Sequence, residues 1–336
     1  MSKSLHICIH GAGGLGSVIG GRLARMGNQV TLIGRPAHMD AIKAKGLHIK
    51  GREELVIEEN LNCVTHPDQV EGEIDYYILL TKHKAMASAL ADAAVLTPRI
   101  KTAVSLQNGV GKEEILIEAF GSERVIGGSI MEGGTLLEPG TVLNHVTTPT
   151  TAYFGELEGG TSERTETLAT IFSAAGLGAQ AVDDIMHVLW EKVTQVGGAS
   201  AWSASTLAGN PDLDFGSGLS CPEAAAHYVT ISKEMLTIYK ALGYTPQNFY
   251  APVSFLKQMD AMNFDEAVDF CLEIGKMFSK QKGVRTSMHE DILARRKTEV
   301  DAIILPLLEQ AERLNIDAPT VTGAYRVIKT LDNYCT

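Results

Sequence analysis

ICIHGAGGLGSVIGGRLARMGNQVTLIGR, residues 7–35, is the stretch on which the first half of the chain is read. A β-rich run ends at His10 and is followed by Gly11-Ala12-Gly13-Gly14-Leu15-Gly16. An apolar helical pattern comes next, and Val30-Thr31-Leu32-Ile33 then forms a second strand-like run that ends in Gly34-Arg35. Between a strand and a helix, each spaced glycine has its own task. Gly11 permits the tight turn, Gly13 lets the backbone approach a pyrophosphate, and Gly16 lets the helix pack close to the sheet. The helix start offers unpaired N–H groups and a positive dipole end to phosphate. The pattern predicts a dinucleotide loop built from Gly11, Ala12, Gly13, Gly14, Leu15 and Gly16. A glycine-rich turn in an α/β protein that binds something else is the alternative.

The tip of the second strand commonly carries an acid that holds a ribose hydroxyl. Here it carries Arg35. A guanidinium offers charge-assisted hydrogen bonds to a 2′-phosphate, which favours NADP (NADPH) over NAD. A solvated surface arginine is the competing reading.

The 336 residues suffice for two domains of ordinary size. A 45% apolar and 21% charged composition is that of a globular chain. The net charge of −11 argues against a general nucleic-acid binder. Cys8, Cys63, Cys221, Cys271 and Cys335 show no redox or metal-ligand spacing, and the histidines form no paired zinc motif. No metal is expected. The start lacks the features of a signal peptide, and no apolar run approaches the ~18 residues of a spanning helix. The expectation is a soluble, cytoplasmic protein with no membrane or nucleic-acid partner.

Strand candidates Leu5–His10, Gln29–Ile33, Tyr76–Thr81, Lys101–Leu106 and Val125–Ile130 alternate with helix candidates Leu15–Met26, Ala37–Ala44, Ala85–Leu96 and Glu113–Phe120. This alternation predicts parallel βαβ units. Thr141–Val146 and Ala152–Gly155 are expected to close the sheet antiparallel. From about Val182–Met186 the apolar spacing turns helical. It predicts helices over Asp184–Thr206, Pro222–Leu242, Phe264–Lys282, Ser287–Leu314 and Thr320–Tyr334. An α/β domain followed by a helical one suggests a site in the cleft between them.

Four further stretches follow in order: Leu80-Thr81-Lys82, Gln107-Asn108-Gly109-Val110-Gly111, Trp190-Glu191-Lys192-Val193, and Arg285-Thr286-Ser287-Met288 with Thr298-Glu299-Val300-Asp301. Together with the glycine loop, this set resembles the ketopantoate reductase (2-dehydropantoate 2-reductase) family over nearly the whole chain. The resemblance implies an α/β Rossmann-type N-terminal domain over 1–184. It also implies an all-α, 6-phosphogluconate dehydrogenase C-terminal-like domain over 185–336 that carries substrate and catalysis. It further implies NADPH-dependent reduction of a small 2-oxo acid, a place in pantothenate biosynthesis, and a chain able to form a homodimer. Lys192 would be the general acid and also touch the substrate. Glu299 would be catalytic and lie beside substrate and cofactor. Asn108 would lie near the nicotinamide ribose and the substrate, Lys82 against the cofactor, and Ser287 near the substrate carboxylate.

The chemistry agrees with that assignment. Reducing a ketone needs a hydride at carbon and a proton at oxygen, and the protein must supply the proton. Lys192 stands in an otherwise apolar helix, although a snorkelling lysine would look the same in sequence. Ser287-Met288-His289-Glu290 also fits a helix capping box. Glu299 and Asp301 can be read as helix surface charges, and Asn108-Gly109 as a turn.

The family typically carries asparagines four and eight residues after the lysine, whereas this chain has Val196 and Ser200. Ser200 is kept as a substrate-facing residue. Pro306 is expected to kink the helix after Glu299. Catalytic positions are retained and substrate-reading ones changed. This leaves open a different oxo acid, hydroxy acid or imine as substrate, or a non-catalytic NADP-binding role.

Overall fold

The computed structural model describes residues 4–145, 148–280 and 283–335. They fall into two compact units, Met1–Leu189 and Trp190–Thr336. The strands of the first unit are β1 (His6–His10), β2 (Gln29–Ile33), β3 (Leu47–Gly51), β4 (Leu55–Ile57), β5 (Leu61–Val64), β6 (Ile74–Leu79), β7 (Ile100–Ser105), β8 (Gly127–Ile130), β9 (Gly133–Glu138), β10 (Thr141–His145), β11 (Ala152–Gly155) and β12 (Ala179–Ala181). Its helices are α1 (Gly14–Arg25), α2 (Pro36–Lys45), α3 (Met86–Ala93), α4 (Lys112–Phe120) and α5 (Glu163–Ala174).

The central sheet runs β5-β2-β1-β6-β7, all parallel. Successive residues of β1 point to opposite faces. Ile7 and Ile9 enter one core with Val18, Ile19 and Leu23 of α1, while Cys8 enters the other with Leu90, Leu116 and Phe120. Both faces are covered, which is why these strands read as continuous apolar runs. The strand order reverses between β1 and β6, and in such sheets the crevice beyond the strands' carboxyl ends at that point is the ligand position.

The late strands do not close this sheet. β10 pairs antiparallel with β9 and parallel with β3, in a four-stranded sheet ordered β4-β3-β10-β9. β11 pairs antiparallel with β8 and parallel with β12 in a separate three-stranded sheet. Val146, the end of one expected strand, lies outside the described residues. The expectation failed because the partners were unreadable: β3 is short and ends in Gly51, and β9 begins Gly133-Gly134 and is largely exposed. β8 is approached through a lone bridge from Ala103 to Val125 and then turns away.

The second unit contains α6 (Ile185–Thr206, which begins in the first), α7 (Phe215–Leu219), α8 (Pro222–Ala241), α9 (Leu256–Ala261), α10 (Phe264–Phe278), α11 (Ser287–Leu293), α12 (Val300–Ile303), α13 (Leu305–Arg313) and α14 (Pro319–Asp332). Lys282, the expected end of α10, lies outside the described residues. Fully buried Trp202 packs edge-on against Phe215 and tilted against Tyr228, and donates from its indole to the Ala224 carbonyl at 2.9 Å. The single helix expected over Ser287–Leu314 is three helices. Arg295 takes a left-handed φ of 52° after α11, and the N–H of Arg296 bonds back to the Asp291 carbonyl. Pro306, which has no N–H to continue a preceding helix, stands in the first turn of α13.

His10, the last residue of β1, is buried, and its Nδ1 pairs with the Tyr77 hydroxyl at 2.7 Å. Burial, partly opposed by Asp92, pushes its pKa down to about 4. The folded state therefore holds a neutral imidazole, whereas an unfolded histidine takes a proton near pH 6.5. This stability is complete above about pH 6.5 and is lost as pH falls toward 4, at up to about 1.4 kcal/mol per pH unit. Urea denaturation at pH 7, 5.5 and 4.5 should show a steeper loss for the native chain than for His10→Gln. Parallel losses would remove His10 as the cause.

Candidate active site

Three strand ends converge in the first unit. The N–H of Leu80, just past β6, bonds to the His10 carbonyl at 2.8 Å, and that of Leu106, just past β7, to the Leu79 carbonyl at 3.1 Å. Gln107 then ties two of the sequence motifs together. Its amide donates to the Thr81 carbonyl at 2.7 Å and its oxygen accepts from Ser105 Oγ at 2.9 Å. The segments carrying Lys82 and Asn108 are thus held beside the glycine loop. Lys82 is exposed and Asn108 half-buried.

The glycines differ sharply in what a side chain would meet. Gly11 has φ +114°, and a Cβ there would lie 2.4 Å from the Leu80–Thr81 peptide. At Gly16 a Cβ would lie 2.4 Å from the Gly11 carbonyl oxygen. Gly14, given no separate role from sequence, abuts Gly134: its Cβ would sit 2.2 Å from that carbonyl oxygen. Gly13 has an ordinary φ of −91° and its Cβ would meet nothing within 4 Å. Protein packing therefore explains three of these glycines but not Gly13. A residue kept bare against open space is what a closely approaching pyrophosphate requires, so the loop fits a dinucleotide. Arg35 follows β2 and Gly34, stands exposed at the N-cap of α2, and has extended backbone angles of −68° and 144°.

In the second unit, Lys192, Val196 and Ser200 follow one another at four-residue intervals on α6, which places them along one helix face. Lys192 is only 6% exposed. Ser200 is fully buried, and its hydroxyl has no hydrogen-bond partner among the described residues. One turn further, Ser203 Oγ bonds to Thr286 Oγ1 at 2.7 Å, joining this stretch of α6 to the start of α11 and hence to Ser287. The helix cap is Thr286, which accepts from the His289 N–H, and not Ser287. Ser287 is left as an exposed first helical residue, its side chain released from capping.

Glu299 is half-buried at the N-cap of α12. Its segment is fixed by Thr298, whose N–H and hydroxyl both donate at 3.0 Å to the carboxylate of Asp332 near the end of α14. Asp301 is instead a surface acid paired with Tyr325 and Lys329.

The sequence reading missed Glu191. It is 1% exposed and accepts from the N–H groups of Gln247 at 2.6 Å and Phe249 at 2.8 Å and from the Tyr239 hydroxyl at 3.3 Å. It anchors the loop after α8 to α6, beside Lys192. An acid next to a lysine in an apolar helix was the available signal.

A sheet reversal with an open-faced glycine loop fits a dinucleotide-binding protein. The model of ketopantoate reductase PanE/ApbA matches residues 7–159 and its C-terminal counterpart matches 184–332. The chain belongs to the ketopantoate reductase family. It is 29% identical over 334 residues to a 2-dehydropantoate 2-reductase of Pyrococcus horikoshii, covering 98% of each chain. The solved 2-dehydropantoate 2-reductase of Geobacter metallireducens superposes with a TM-score of 0.79 at 25% identity, covering 97% of this chain and 99% of that one. A D-mandelate dehydrogenase solved with NADH and anilino(oxo)acetate has the same fold, with a TM-score of 0.77 at 22% identity, covering 98% of this chain and 99% of that one. Among the described residues no helix is long and apolar enough to cross a membrane.

The glycine geometry makes a direct prediction. Gly13→Ala should change unfolding stability by no more than about 0.5 kcal/mol, as for a surface site. It should weaken NADPH binding by about tenfold or more, a cost of about 1.4 kcal/mol. Calorimetry and fluorescence titration on the same preparation check both. Unchanged affinity would mean that no phosphate passes Gly13.

Proposed function

We propose that this chain reduces a 2-oxo acid to the corresponding 2-hydroxy acid with NADPH. The observation that carries this reading is Lys192, a cation almost wholly withdrawn from solvent on an apolar helix. A lysine so withdrawn from solvent and fixed in place is suited to donate a proton to a carbonyl oxygen.

The first unit would hold the dinucleotide. Ala12, Gly13, Gly14 and Leu15 would face the phosphates, with Arg35 at the 2′-phosphate and Lys82 and Asn108 toward the nicotinamide end. When bound, the reduced nicotinamide supplies the hydride. In the second unit, Lys192 Nζ would donate the proton to the carbonyl oxygen and stabilise negative charge developing there. Ser287, freed from capping and at a helix N-terminus, would receive the substrate carboxylate, which the helix dipole favours. Glu299 would orient substrate and cofactor.

The substrate is inferred to differ from ketopantoate. Val196 offers no hydrogen bond where the family typically has asparagine, and Ser200 is a shorter group. A hydroxylated tail would lose a partner there, at about 1–3 kcal/mol if buried. A more apolar tail fits, and a protein of this fold is named for mandelate. Ketopantoate itself is the second reading, favoured by the curated relatives.

Lys192→Ala should lower kcat for oxo-acid reduction by roughly 10²–10⁴, the usual range for acid–base groups, while NADPH affinity stays the same. Near-normal turnover would leave Lys192 a structural residue. Arg35→Ala should weaken NADPH by at least about tenfold, given about 1.5–3 kcal/mol for each charge-assisted hydrogen bond lost, with little effect on NADH. Equal losses for the two dinucleotides would deny Arg35 a discriminating role.

A further inference from the structure

The first turn of α1 does not stand alone. It touches the start of β9 backbone to backbone. A Cβ on Gly14 would lie 2.2 Å from the Gly134 carbonyl oxygen, and one on Gly134 would lie 2.5 Å from the Leu15 nitrogen. The position of Gly133-Gly134 therefore limits where the N–H groups of α1 point. A helix cannot pair its own first N–H groups, so these are the ones a phosphate would use.

A chain of polar groups, with Arg22 and Asn144 buried and Glu132 half-buried, holds Gly133-Gly134 in place. Arg22, two turns along α1 and 5% exposed, donates from Nε to Asn144 Oδ1 at 3.0 Å. Asn144 is 4% exposed and lies directly across from Gly134 in the β10–β9 register. Its Nδ2 donates to Glu132 Oε1 at 2.9 Å and to the Gly133 carbonyl at 3.3 Å. The same Glu132 oxygen accepts from the Gly133 N–H at 3.1 Å. Arg22 is held in turn by Glu53 at 2.8 Å. A second tether reaches the tip of the hairpin. The Gly140 N–H donates to His38 Nδ1 at 2.9 Å, and His38 Nε2 pairs with Ser17 of α1 at 2.9 Å.

We propose that Arg22, Asn144 and Glu132 form a positioning relay that sets the seating of the first turn of α1 against Gly134, and with it the affinity of the phosphate loop for its dinucleotide. The relay acts through the backbone of Gly133-Gly134. Its members are positioning residues, since the bonds described join them to one another and not to the glycine loop. Fold formation alone does not require this arrangement. A purely structural tether of α1 to the hairpin could be apolar, whereas two buried polar groups and a half-buried carboxylate cost desolvation unless their mutual geometry matters. The proposal rests on the reading that the glycine loop takes a pyrophosphate.

The test is NADPH titration by fluorescence, alongside melting temperature and steady-state kinetics, on the full chain. Asn144→Ala cuts the relay at its middle. Gly134→Ala leaves the relay intact but displaces the first turn. Both should raise the NADPH Kd and KM by about tenfold while kcat at saturating NADPH stays within about twofold. Glu132→Leu should behave like Asn144→Ala. Glu132→Gln, which keeps an oxygen for both donors, should recover most of the loss.

A lowered melting temperature with unchanged NADPH affinity in Asn144→Ala and Gly134→Ala would overturn the relay and leave a structural tether. If Asn144→Ala does not fold, Glu132→Leu against Glu132→Gln carries the same decision. Gly13→Ala separates the two readings. If it weakens NADPH and the relay variants do not, only the relay fails. If the native chain binds no NADPH, the loop assignment and the relay fall together.

Discussion

The structure depends on how closely peptide groups pass one another where β1 ends. The Gly11 turn lies against the Leu80–Thr81 peptide, and the start of α1 returns over the Gly11 carbonyl at Gly16. No side chain fits in either gap. This contact brings α1 down onto β1 and β2, places Val18, Ile19 and Leu23 in the core, and brings the ends of β6 and β7 alongside. With the core so arranged, the one glycine that packing does not need is the one that faces outward.

Much of this was legible in the sequence because it is local. A strand, three spaced glycines and an amphipathic helix lie within thirty residues, and each element's pattern agrees with its neighbours. Four of the five parallel strands followed from their continuous apolar runs; β5 was too short to stand out, and Val125–Ile130, expected among them, contributes β8 to the three-stranded sheet instead. The four-stranded sheet was illegible for a related reason. Its members are joined across long separations, from Leu47 to His145, and include an exposed edge strand that begins with two glycines. Propensity describes such a strand poorly, because the fit to its neighbours makes it a strand. Gly14 shows the same limit: its partner, Gly134, is 120 positions away, and no spacing rule connects them.

The helical unit was read correctly as helical, but its interruptions were not foreseen. The apolar rhythm of 287–314 continues through Arg295, where a left-handed residue breaks the chain. Burial also could not be read. The sequence marked Lys192 as anomalous yet could not say that it is almost wholly enclosed, nor that Glu191 beside it faces a loop and its backbone N–H groups. The helix cap fell one residue earlier than expected. Thr286 and Ser287 are chemically close enough that only the His289 N–H, which bonds to Thr286 Oγ1, distinguishes them.

The tie between Thr298 and Asp332 bears on synthesis as well as on structure. The Glu299 segment is secured by a carboxylate 33 residues further along the chain, on the last turn of α14. During translation the α/β unit can collect all its strands and helices early, since domains generally fold as units from the N-terminal side. The stretch around Glu299 gains its tie to Asp332 only once that residue has left the ribosome. A nascent chain arrested before that residue would carry a finished glycine loop and a Thr298 without its carboxylate partner. The two halves of the protein therefore mature on different clocks, and the one bearing Glu299 is the last to set.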